Sequence, residues 1–147
     1  MALLNYTTKI DADKTAGEIS SILRGIGASA VLTEYDKDLG IVSAISFKIE
    51  LNGQPISFRL PTDWRPVQEV LERQNRKARN HIPHDQAAAV RVAWRIVKDW
   101  VEAQCAIIET RMVSTVDVFL PYAIMPNNQT LAEKIHESPQ FLLGKGD

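Results

Sequence analysis

The chain has 147 residues, 45% hydrophobic and 24% charged, with a formal net charge of −1. This is a globular composition long enough to bury its own core, and the near-zero charge excludes a global basic field that would recruit nucleic acid or an anionic membrane. The lone cysteine, Cys105, excludes an internal disulfide and a thiolate metal cage, and its apolar neighbourhood reads as a small buried residue.

No run has the apolar length of a signal peptide or a membrane span, so the expectation is a cytoplasmic protein with no membrane partner. Residues 3–10, LLNYTTKI, alternate loosely and carry Tyr and Thr, which predicts a first strand. In the stretch that follows, Thr15 and Glu18 have capping-box spacing and Ile19, Ile22, Leu23 and Ile26 share one helical face. Gly25 and Gly27 offer left-handed positions to end that helix, and residues 28–36, ASAVLTEYD, read as the next strand.

IVSAISFKIEL and QPISFRL flank Asn52-Gly53, a strong local hairpin signal. A two-residue loop there sets Leu51 against Gln54, Ile49 against Ile56, Phe47 against Phe58 and Ile45 against Leu60. Ser46, Lys48, Ser57 and Arg59 then occupy the opposite face, with Lys48 diagonal to Arg59 and no acid between the two cations on these strands. Pro61 closes the second strand; Asp63 is the expected cap of a helix with Pro66 in its first turn and Val67, Val70 and Leu71 facing inward. That helix is expected to decay into a basic segment, residues 73–84, which reads either as a solvated loop or as an anion-contacting flap.

Asp85 caps the most distinctive stretch, AAVRVAWRIVKDWVEAQCAII at residues 88–108. No Gly or Pro interrupts it, and Val90, Ala93, Trp94, Val97, Trp100, Val101, Ile107 and Ile108 recur at helical spacing. Val92, Ile96 and Ala103 widen the apolar stripe beyond the ~100° of an ordinary surface helix. Such a helix is expected to be covered on several sides, by its own domain and by another subunit. Beyond it, Ser114 and Asp117 suit the cap of a short helix stopped by Pro121, NNQTLAEKIHES gives a last small helix, and residues 138–147 read as a frayed tail. The whole is an α+β domain: a small antiparallel sheet with a central Asn-Gly hairpin, packed on a long C-terminal helix and shorter helices.

No catalytic constellation emerges. His81 and His84 have HxxH spacing without a third ligand nearby, there is no phosphate-loop or GxSxG signature, and Asp36 and Asp38 sit where a turn wants aspartates. Glu34 and Asp36 share a strand face, as a carboxylate pair or as solvated edge charges. Cations are the more informative group. On the long helix Arg95 can pair with Asp99 and Lys98 with Glu102, whereas Arg91 has no acid one turn away, so it reads as an ordinary surface arginine or as a contact for an outside anion. Arg59 on its sheet face suits a phosphate or carboxylate fork. Trp64 and Trp94 are either base-stacking platforms or core residues, and RGIGAS at 24–29 offers backbone amides to a ligand or simply ends a helix.

The segments KTAGEI, VLTEYD, ISFRLP, RVAWRIVKDWVEAQ and VFLPYA together resemble a family of small phage and prophage proteins, over roughly residues 3–135. That family is identified with the first type of Thoeris anti-defence protein. The resemblance implies a non-catalytic sponge without cofactor or metal, acting in the host bacterial cytoplasm. It implies sequestration of cyclic ADP-ribose isomers and cyclic di- or trinucleotides at the subunit interfaces of a homo-oligomer, a dimer or hexamer. Arg59, Arg91, Arg95 and Lys48 are then the expected phosphate contacts, with Arg24, Gly27, Ala28 and Ser29 as candidates for a second pocket. Two other readings are a phage accessory protein binding single-stranded nucleic acid through residues 73–84 and a purely structural oligomer.

Overall fold

The computed structural model describes residues 2–144. Helix α1 (Ala12–Gly25) is followed by strands β1 (Ala30–Asp36), β2 (Ile41–Leu51) and β3 (Gln54–Arg59), then by α2 (Arg65–Lys77) and the long α3 (Gln86–Glu109). Helix α4 (Thr115–Phe119), a 3-10 turn (Leu120–Tyr122), α5 (Leu131–Glu137) and α6 (Gln140–Leu143) complete an α+β fold. The sheet is antiparallel in the order β1-β2-β3.

The β2–β3 register sets Leu51 opposite Gln54, Ile49 opposite Ile56 and Phe47 opposite Phe58, and the amide of Leu60 donates to the carbonyl of Ile45. Asn52 and Gly53 lie between the strands with φ of 52° and 79°. Phe47 and Phe58 stack at 5.1 Å, and Phe119 of α4 meets both rings edge-on. These rings join Ile19 and Leu23 of α1 and Val90, Trp94, Val97 and Val101 of α3 in the main core. A second cluster on another side of α3 gathers Leu71 of α2, Ile82, Ala89 and Val92, with Leu3, Tyr6 and Ile96 against it. The broad apolar girth of α3 is therefore largely covered by its own chain, although Ala103 is exposed.

Several expectations are corrected. Residues 3–10 form turns rather than a strand: Asn5 takes a left-handed φ of 65°, the amide of Leu3 donates to Gln74 and the Asn5 amide group to Asp99. Leu3 and Tyr6 pack on the helices and gain more there than on a sheet edge. Helix α1 starts before Thr15, so there is no capping box with Glu18; the Thr15 hydroxyl, fully buried, bonds back to the carbonyl of Asp11. Only Gly27 of the two glycines takes a left-handed φ, at 100°. Helix α2 persists through Arg73, Arg76 and Lys77 because nothing in that run breaks a helix and its last two cations favour the helix C-terminus. Its N-cap is Trp64, while the Asp63 carboxylate accepts the Arg65 amide. The tail contains the short α6, ended by Gly144 at φ 68°; residues 145–147 of the expected frayed tail lie outside the described residues.

Candidate anion-binding face

Alternation in β2 and β3 sends Phe47, Ile49 and Phe58 to the core and Ser46, Lys48, Ser57 and Arg59 to the other face. Because Ser57 opposes Lys48 and Ser46 opposes Arg59, the two cations are diagonal neighbours, with Cβ atoms somewhat less than ~7–8 Å apart. They line a groove of about 550 Å³ together with Leu32, Glu34, Ile124 and Asn128. Arg59 also lines an adjoining cleft of about 380 Å³, where Tyr122, Trp64, Arg65, Glu133 and His136 gather. Both volumes fall in the range that holds small ligands, ~300–1,000 Å³.

The guanidinium of Arg59 is positioned by residues far away in sequence. Its Nη2 donates to the Asn128 carbonyl at 2.9 Å and to Oε1 of Glu133 at 3.0 Å, and Nη1 donates to Oδ1 of Asn128 at 3.3 Å. The chain reaches there because Ala123 and Ile124 run along the outer edge of β3, with the Ile124 amide bonded to the Ser57 carbonyl. Thr130 and Glu133 then cap α5 reciprocally, which lowers the Glu133 carboxyl; the Thr130 amide and hydroxyl are the main cause and Arg59 adds to it. Lys48 forms no ion pair among the described residues.

The other expected contacts fall elsewhere. Arg95 bonds to Glu18 and to the Thr15 hydroxyl on α1, and Arg91 Nε reaches the Thr8 carbonyl at 3.5 Å. The expected Arg95–Asp99 pair does not form, because Asp99 accepts from Asn5; Lys98 pairs with Glu102 as expected. Arg91 and Arg95 thus tie α3 to α1 and its approach, in the helical layer behind the sheet, and do not converge on Arg59. Arg24 bonds to Ser21 at the end of α1, and the Ser29 amide donates to the Lys48 carbonyl at 2.9 Å. Gly27 and Ala28 turn the chain from α1 into that contact, with the Ala28 amide on the Leu23 carbonyl.

Trp94 is fully buried and cannot stack on a base, whereas Trp64 is partly buried at the cleft, packed against both hydrophobic clusters, with the Arg65 guanidinium 5.1 Å from its ring. Asp36 serves its turn, accepting the amides of Asp38 and Leu39. Burial and then the Glu102 carboxylate raise the Cys105 thiol above its ordinary value. His84 Nδ1 meets the Ile82 carbonyl, and no group of three or more His, Cys, Asp or Glu suited to a metal occurs among the described residues. Among them, too, no helix is long and apolar enough to cross a membrane. Arg65, Tyr122, Asn128, Glu133 and His136 were not singled out by sequence reasoning. Thr130 and Glu133 have capping-box spacing that the sequence reading passes over, and nothing local connects them to Arg59.

Comparison with family models, with curated proteins and with solved structures returned no match.

Proposed function

We propose that the protein binds a nucleotide-type anion on the outer face of its sheet and holds it without cleaving it. The observation that carries this reading is the pairing of Lys48 and Arg59 on one face, beside the Ser46 and Ser57 positions and over a groove of about 550 Å³. A phosphate or phosphodiester suits two neighbouring cations, one of them an arginine held in place by Asn128 and Glu133 and left with Nε and one Nη1 hydrogen to donate. Each charge-assisted contact contributes ~1.5–3 kcal/mol, so binding on this face needs several such contacts acting together.

The resemblance to the phage family supplies the ligand class: cyclic ADP-ribose isomers and cyclic di- or trinucleotides that signal bacterial immunity. In this reading the protein is a sequestering partner, active as a homo-oligomer in the host cytoplasm. The test mixes the protein with each of these nucleotides, follows the melting temperature, which bound ligand raises by mass action, and then heats the complex to release the ligand. Intact released ligand, with the stabilisation abolished in Arg59→Ala and weakened in Lys48→Ala, is the expected result. Hydrolysed ligand, or no stabilisation by any of these nucleotides, overturns the proposal.

A further inference from the structure

The fold covers one edge of its sheet and leaves the other open. Ala123 and Ile124 run along β3, whereas β1 pairs only with β2 among the described residues. A seven-residue edge of unpaired amides and carbonyls is a template for another strand, and proteins usually blunt such an edge with Pro, Lys or a bulge. The residues of β1, AVLTEYD, include neither Pro nor Lys. The register irregularity near Glu34 is absorbed by β2, where Ser43 has no opposite residue on β1 and its carbonyl accepts the Thr62 hydroxyl instead, and β1 itself runs unbroken. Two large apolar residues on β1 remain open to solvent, Leu32 at 58% and Tyr35 at 59% exposure.

We infer that β1 pairs antiparallel with β1 of a second copy about a two-fold axis through Thr33, giving one continuous six-stranded sheet. An isologous contact requires a self-complementary surface, and this strand supplies one. With Thr33 on the axis, all seven residues of each strand are paired. Val31 opposes the partner's Tyr35, a β-branched–aromatic pair of the kind that stabilises antiparallel ladders, and Leu32 opposes the partner's Glu34.

Charge complementarity favours this register. Lys48 lies opposite Ala30 on β2, is exposed, and has no ion pair among the described residues. The partner's Asp36 falls on the other side of Ala30, so Lys48, Ala30 and that aspartate form one row across three strands spaced ~4.8 Å apart. A methyl group in the middle of the row leaves the lysine side chain room to reach the carboxylate. Asp36 has an oxygen to give, since among the described residues its carboxylate is engaged through Oδ1, by the amides of Asp38 and Leu39. The axis repeats the row twice. The pairing edge lies across the sheet from Arg59, but Lys48 belongs to both readings, so the dimer is tested in the absence of ligand.

The test uses the full chain without ligand. Light scattering of the wild type should give twice the monomer mass of 16.5 kDa, falling toward monomer on dilution. In a Cys105→Ser background, Thr33→Cys places two thiols across the axis with Cα atoms ~4.5–5.5 Å apart, inside the ~4.4–6.8 Å window of a disulfide. Mild oxidation should trap it as a covalent dimer, while Ser21→Cys on exposed α1 stays largely unlinked. Lys48→Glu, an exposed change that leaves the circular dichroism intact, should weaken dimerisation at least tenfold. A strictly monomeric wild type, a dimer that Thr33→Cys does not trap, or one indifferent to Lys48→Glu overturns the inference.

Discussion

Arg59 and Thr130 donate to the same oxygen of Glu133: Nη2 of the arginine at 3.0 Å and the Thr130 amide at 2.9 Å both meet Oε1. One carboxylate therefore closes the N-terminus of α5 and orients the cation at the junction of the two grooves. The helix cap and the site share a part, and changes in one are felt in the other.

The acid response of the C-terminal third follows from its caps. Glu133 and Asp117 are both lowered, in each case chiefly by the backbone amide and then the hydroxyl of the residue they cap, Thr130 and Ser114. A carboxyl lowered in the folded state stabilises fully above its unfolded value and loses that contribution as pH falls through the folded one. The stability lost below the ordinary values of 4.5 for Glu133 and 3.8 for Asp117 should shrink in Glu133→Gln and in Asp117→Asn. Urea melts at stepped pH measure it; variants that keep the wild-type slope in this window contradict the assignment.

Arg95 and Glu18 should be energetically coupled. The arginine side chain is 13% exposed, so water screens the pair less than it screens a surface ion pair. A double-mutant cycle of Arg95→Met with Glu18→Gln should return a coupling of about 1 kcal/mol in chemical unfolding. Additive single effects would show that the bond joining α1 to α3 contributes nothing.

Phe119 is the point at which the C-terminal segment enters the core. It is fully buried and meets Phe47, Phe58 and Trp100 edge-on. Phe119→Ala should cost ~3–5 kcal/mol, a large-to-small change in a packed site. Because the strip Ala123–Ile124 follows it along β3, Arg59 should lose its anchors in the same variant. Equilibrium unfolding reports the cost, and faster hydrogen exchange at Ile124 reports the release; an unaltered exchange rate there argues against the link.

Gly53 holds a φ of 79°, which an L side chain adopts only with strain, although open space surrounds the position. Gly53→Ala should therefore destabilise by about 1 kcal/mol through the backbone alone. A neutral or stabilising outcome in thermal melts would mean that the turn relaxes to a different geometry.

The elements whose side chains repeat at a clear period were legible in the chain itself. Helix α3 and its Asp85 cap, the pairing of Ile49 with Ile56 and Phe47 with Phe58, and the Ser114–Asp117 cap of α4 all follow from interactions within a few residues or across a short turn. Residues 3–10 depart from the expected strand because Leu3 and Tyr6 are held by α2 and α3, and a partner 71 residues away outweighs a weak strand propensity. The same holds for the arginines. Arg59, Arg91 and Arg95 stand together as expected phosphate contacts, although spacing already offers Arg95 an acid at Asp99. Tertiary structure divided the set. Arg95 meets Glu18 across 77 residues, and Arg59 meets Glu133 across 74. Ion pairs of that sequence separation depend on how the layers stack, and no local periodicity encodes them. That stacking keeps Arg59 beside Lys48 on the outer face and turns Arg91 and Arg95 to fastening the helices behind it.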